Sequence, residues 1–154
     1  MRRNSNPAPG IVELSCACAT ARRAARTISQ LYDDHLRDSG LQATQFALLA
    51  IMDRLGPCTQ AAIGEAFAMD KTTVSRNVTL LKKNGWIEDA PSTDRRHRCF
   101  VLSATGRKSL VAAKPAWRRA QQRLRSAMTS TEWDAMWDAL HALTRATAGI
   151  AAPG

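Results

Sequence analysis

The stretch Asp70 to Gly85, DKTTVSRNVTLLKKNG, limits the possible folds more than any other because it reads as one complete helix with two opposed faces. Asp70 suits the cap that accepts the first free amides of a helix, and Gly85 suits the left-handed residue that stops one. At 3.6 residues per turn, Val74, Val78 and Leu81 fall on one stripe. Thr72, Arg76, Thr79 and Lys83 project from the opposite side, with Thr73 and Ser75 beside them. The apolar stripe needs a core to bury it. The polar face has two readings. It is either a merely solvated surface, or a face laid in a DNA major groove, where short hydroxyls let the backbone come close and Arg76 reaches guanine with two hydrogen bonds. Leu80 falls off the buried stripe, and the pattern does not explain it.

Both flanks narrow the choice. Upstream, Thr59 suits the cap of a short helix from Gln60 to Phe67, followed by a turn through Ala68 and Met69, and the small residues allow a second helix to cross closely. Downstream, Trp86 to Ala90 and Cys99 to Leu102 read as two short strands. They are joined by PSTDRRHR, a polar loop with three arginines and a turn-favouring Pro and Asp. Helix, helix and hairpin in that order make a winged helix.

At DRRHR the chain resembles the MarR family of winged helix-turn-helix transcriptional regulators, whose wing carries an Asp-x-Arg signature before a strand and a Leu-Thr-like helix start. The matching residues are Asp94 and Arg96, then Val101, Leu102, Ser103, Ala104, Thr105 and Gly106, and the resemblance runs from about Leu14 to Ile150. It implies a mainly α fold with a small β-hairpin wing (α+β), and double-stranded DNA as partner. It also implies that Arg96 enters the minor groove while Asp94 helps hold the wing. Electrostatics points the same way: a narrow minor groove focuses negative potential and attracts a guanidinium, which a nearby carboxylate can orient beforehand. The plainer alternative is a flexible basic loop on phosphates. Arg95, His97 and Arg98 are assigned to phosphates, as are Lys71, Lys82 and Lys83 on the helix.

At 154 residues the chain suits one domain, with neither a transmembrane run nor a signal peptide. Residues 1–12 are expected to form a disordered tail and 13–154 a single domain, within which 44–102 is the winged helix-turn-helix and 13–38 and 103–150 are dimerisation helices. The net charge of +9 is uneven. Lys71 to Arg98 holds seven basic residues against three acids, as a DNA-facing surface would. Ser103 to Ala127 holds seven and no acid, and is read as a solvated face or as a flank to the phosphate backbone.

From Leu14 onwards Cys18, Ala21, Ala25, Ile28 and Tyr32 recur in alternating steps of four and three, a narrow seam that wants a partner helix. At the other end Thr129 and Glu132 suit a capping box ahead of an apolar stripe of Trp133, Met136, Trp137, Leu140 and Leu143. Pro115 is expected to interrupt and kink the basic helix between them. The MarR resemblance implies that these terminal helices interlock two subunits, giving a homodimer on a pseudo-palindromic operator. An intramolecular bundle is the alternative.

Cys16, Cys18, Cys58 and Cys99 lack zinc-like spacing, and His35, His97 and His141 are scattered, so no metal or other cofactor is expected. Without a secretory signal the thiols should be reduced in the cytoplasm. The first helix resembles the peroxide-sensing branch of the family, which implies Cys18 as a redox sensor with Tyr32 as its hydrogen-bond partner. Arg22 occupies that branch's second tyrosine position, and no cysteine follows Cys99. The plain alternative makes Cys18 a small buried seam residue and Cys16 the more accessible thiol. The resemblance also implies a phenolic or aromatic carboxylate effector, with Arg22, Arg23, Tyr32, His35 and Met52 as candidate pocket residues. No phosphate loop, HExxH or nucleophile elbow marks an enzyme. Two DNA functions remain: a sequence-specific regulator, repressor before activator, and a non-specific architectural binder.

Overall fold

The computed structural model describes residues 15–91 and 98–148. Six helices and a small sheet follow in the order α1 (Ala17–Leu36), α2 (Ala43–Leu55), β1 (Cys58–Thr59), α3 (Gln60–Phe67), α4 (Lys71–Lys83), β2 (Ile87–Ala90), β3 (Cys99–Leu102), α5 (Ala104–Ser126) and α6 (Ser130–Ala148). The expected α+β winged fold is present, with one addition. The sheet has three antiparallel strands in the order β1-β3-β2, and β1 pairs Cys58 with Phe100 and Thr59 with Cys99. A two-residue strand has no periodicity to read, so only tertiary pairing exposes it.

Local chemistry accounts for the helix limits. Gln42 and Gln45 form a reciprocal capping box at the start of α2, and Asp33 of α1 accepts the Ala43 N–H at 2.6 Å. This carboxylate at a helix N-terminus also fixes α1 against α2. Thr59 Oγ1 accepts the Ala62 N–H, as expected. Asp70 caps α4, and Gly85 just beyond it takes φ +69°, the left-handed stop expected there.

The core forms where the stripes converge. Leu36, Leu48, Leu49 and Met52 meet Ile63, Val74, Val78 and Leu81 of the helix-turn-helix, Phe100 and Leu102 of the sheet, and Leu110 and Ala113 of α5. Ser103 joins the wing to α5. Its N–H donates to Trp86 O at 3.0 Å, its hydroxyl donates to Gly85 O at 2.6 Å, and the same hydroxyl accepts the Gly106 N–H at 3.0 Å. The approach is so close that a Cβ on Gly106 would lie 1.8 Å from Trp86 O. The Ser103 to Gly106 motif is therefore a packing device.

One expectation about the flanking helices is corrected. α5 runs unbroken through Pro115, because Pro115 and Val111, whose carbonyl loses its partner, both lie on the exposed side where water can replace the bond. Of the two terminal helices, α1 packs on α5, where Tyr32 meets Gln121, whereas no residue of α6 is buried among the described residues. α6 does begin with the expected box: Glu132 accepts the Thr129 N–H at 2.8 Å, and Thr129 Oγ1 accepts the Glu132 N–H at 3.2 Å.

Candidate nucleic-acid interface

α4 turns Val74, Val78 and Leu81 into the core and leaves Lys71, Thr72, Ser75, Arg76, Thr79 and Lys83 exposed. Not every hydroxyl on that side is free. Thr73 donates its amide and its hydroxyl to Asp70, at 2.9 and 2.6 Å, and these bonds hold the Asp70 carboxyl below the usual carboxylate range. Thr79 donates to the Ser75 carbonyl at 2.9 Å, and Asn77 to the Thr73 carbonyl at 2.9 Å. Thr73 and Thr79 thus keep only acceptor capacity, whereas Thr72, Ser75, Arg76 and Lys83 keep uncommitted side chains among the described residues. Leu80, 39% exposed, stands one turn beyond Arg76 on the same side.

α3 backs this helix. Gly64 is buried at the crossing, with Val74 Cγ2 3.3 Å from where its Cβ would be. A groove of about 580 Å³ opens between α3 and the first turn of α4, with Gln60, Glu65, Lys71 and Arg98 among its walls.

The base of the wing holds a cluster that the sequence reading did not find. Asp89 lies opposite Phe100 in the β2–β3 register, hence on the same face as the buried Ile87 and Leu102. Its carboxylate accepts from Lys82 Nζ at 2.7 Å and from Arg98 at 3.0 Å, and both cations also stand over the Phe100 ring, at 5.7 and 5.8 Å. The Lys82 hydrogen bond, helped by Arg98, holds the Asp89 carboxyl below its ordinary range. Lys82 and Arg98, expected to serve phosphates, share the one Asp89 carboxylate, which offsets one of their two charges. Alternation would have put Asp89 on the core face, a conflict that was itself a signal. Asp94, Arg95, Arg96 and His97 lie outside the described residues.

The residues proposed for sensing are dispersed in one chain. Cys16 and Cys18 are both exposed in the single chain. Fourteen residues of helix, about 21 Å, separate it from Tyr32. The Tyr32 hydroxyl instead donates to Gln121 Oε1 of α5, and burial pushes the phenol up from its ordinary range. His35 Nδ1 donates to Leu31 O at 2.8 Å, Arg22 is exposed and Arg23 half-buried. Met52, at 0% exposure, packs in the core cluster. Cys58 is buried, and that burial together with Cys99 raises its thiol above the usual range. Among the described residues no group of His, Cys, Asp and Glu could hold a metal ion, and no helix is long and apolar enough to cross a membrane.

A capped helix with an exposed Arg and hydroxyl face, backed by a second helix and flanked by a hairpin, defines a winged helix-turn-helix DNA-binding protein. The comparisons agree. A sequence model of the MarR family matches residues 39–97. The Mycobacterium tuberculosis transcriptional regulator MosR, solved in complex with DNA, is 31% identical, with a TM-score of 0.80 over 89% of this chain and 99% of that one. A probable transcriptional regulator from Pseudomonas aeruginosa is 28% identical, with a TM-score of 0.75 over 84% of this chain and 97% of that one. The uncharacterized HTH-type transcriptional regulator YwoH of Bacillus subtilis is 29% identical over 86 residues, 56% of this chain, and this chain spans 63% of that relative's length. The chain belongs to the MarR family of winged helix-turn-helix transcriptional regulators.

Proposed function

We propose that this protein is a sequence-specific repressor that binds a pseudo-palindromic operator as a homodimer in the cytoplasm and releases it when a small aromatic ligand binds or a thiol is oxidised. The carrying observation is the α4 face, where Arg76 is exposed and uncommitted among Thr72, Ser75 and Lys83. In this reading Thr72, Thr73, Ser75, Arg76 and Thr79 read the major groove, Lys71, Lys83 and Arg95 meet phosphates, and Arg96, oriented by Asp94, enters the minor groove. The relative MosR in its complex with DNA supports the choice of partner. The unburied α6 supports the homodimer, because Trp137, Leu140 and Leu143 stand 40 to 45% exposed on one side of it. Exposure of Cys16 and Cys18 supports the oxidation route. Arg22, Arg23, Tyr32, His35 and Met52 are the proposed contacts for a phenolic carboxylate, which must favour the state whose two α4 helices mismatch the operator spacing.

The test is selection from a random duplex pool. The expected product is a two-fold related consensus with half-sites about 10 base pairs apart. Failure to enrich any sequence, with equal affinity for selected and random duplex at matched salt, would overturn the regulator reading in favour of a non-specific architectural binder.

A further inference from the structure

We propose that Asp89 is a positioning residue for DNA reading: it clamps the wing to the recognition helix through Lys82 and Arg98 and in doing so withholds both cations from phosphate. The inference rests on the DNA-reading assignment above.

The three residues come from three places that must agree if one molecule is to read two grooves. Lys82 is in the last turn of α4, Asp89 is on β2, and Arg98 precedes β3 directly after the loop that carries Arg96. The two oxygens of one carboxylate divide the work, Oδ2 accepting from Lys82 at 2.7 Å and Oδ1 from Arg98 at 3.0 Å. The first bond ties the hairpin to α4, and the second ties β2 to the residue that enters β3. β2 is an edge strand, paired among the described residues with β3 alone, so its other side has no neighbouring strand to fix its position.

Stability does not account for the arrangement. Asp89 is 52% and Arg98 72% exposed as side chains, and ion pairs in such positions contribute little to folding. What the cluster does change is geometry and charge. It biases the base of the hairpin toward α4, and it places an anion between two cations on a surface that would otherwise grip any phosphate backbone. Non-specific DNA affinity comes from phosphate neutralisation, so this carboxylate suppresses binding to random sequence while aligning the groups that read the operator.

The experiment measures affinity for a selected operator and for random duplex, at two salt concentrations, in the wild type and three variants. Asp89→Asn keeps the size and removes the charge. It is expected to bind random duplex about tenfold tighter at 50 mM salt and to lose about tenfold more of that affinity by 200 mM, as two added phosphate contacts require. Its preference for operator over random duplex should fall by at least about tenfold, in line with the cost of one lost discriminating contact. Asp89→Glu should restore the preference. Lys82→Met breaks the clamp without freeing a cation, so it should lower the preference with no steeper salt dependence. An Asp89→Asn protein with unchanged preference and salt dependence, or equally weakened on both duplexes as a misfolded protein would be, overturns the inference. A wild type that fails to distinguish operator from random duplex removes the regulator reading instead, and the salt dependence of Asp89→Asn still decides whether its cations were withheld.

Discussion

Arg76 and Gly106 show two kinds of single-residue dependence. Arg76 is exposed on α4 and makes no bond within the described protein, so its replacement should leave folding intact and act only on recognition. Arg76→Ala is expected to cost about 1–3 kcal/mol of discrimination between operator and single-base operator variants, the range for one bidentate base contact. Competition binding checks this, and undiminished discrimination would remove Arg76 from the reading face. Gly106 is the reverse case. A methyl group there would sit 1.8 Å from Trp86 O, and the obstacle is backbone that cannot step aside. Gly106→Ala should destabilise the fold by about 3 kcal/mol, at the upper end of overpacking costs. Denaturant unfolding reads it, and a midpoint within error of the wild type would mean that α5 can shift away from the β2 turn.

Helices and hairpin depend on carboxylates at their junctions. Asp70 is held below its ordinary range by the hydrogen bonds from Thr73, Asp89 by Lys82 and then Arg98, and Glu132 by the backbone and side chain of Thr129. Each has a lower pKa folded than unfolded. Whatever stabilisation they give, small for the exposed Asp89 pairs, is therefore fully present above the unfolded carboxylate pKa and is lost as pH falls through the depressed folded values. Unfolding midpoints measured from neutral pH downwards should fall as that range is crossed. Asp70→Ala should start lower and show a shallower decline, since it has lost one of the groups responsible. Parallel declines in the two proteins would show that the α4 cap does not contribute.

Across the whole molecule the unmet demand is cover for α6. Its stripe includes Trp133 and Trp137 in edge-to-face contact at 6.0 Å, followed by Leu140 and Leu143, and nothing among the described residues buries it. Leu140→Asp should convert a dimer to a folded monomer that binds the operator much more weakly, because two half-sites are then met by independent molecules. Analytical ultracentrifugation with circular dichroism checks this, and an unchanged sedimentation coefficient would exclude α6 from the interface. The signal belongs to the same scale. Mild peroxide should release operator from the wild type and not from Cys18→Ser, whereas release from both would move sensing to Cys16 or elsewhere.

The local pattern was enough for α4: its caps at Asp70 and Gly85, its Val74, Val78 and Leu81 stripe and its polar face all follow from residues within one helix length, where spacing alone decides which side chains share a face. The caps of α3 and α6, at Thr59 and Thr129, were legible for the same reason. What stayed hidden depends on chain segments far apart in sequence. β1 exists only because β3 lies beside it, Met52 is sealed at 0% exposure only by segments distant in sequence, and Tyr32 meets Gln121 across 89 residues. Asp89 shows the division most clearly. Its position on the inner face of β2 could be counted from the sequence, but its partners Lys82 and Arg98 are set by hairpin register and by the docking of α4 on the sheet. Periodicity carries no information about either, because both are decided by which packing buries the most apolar surface while leaving no polar group unpaired.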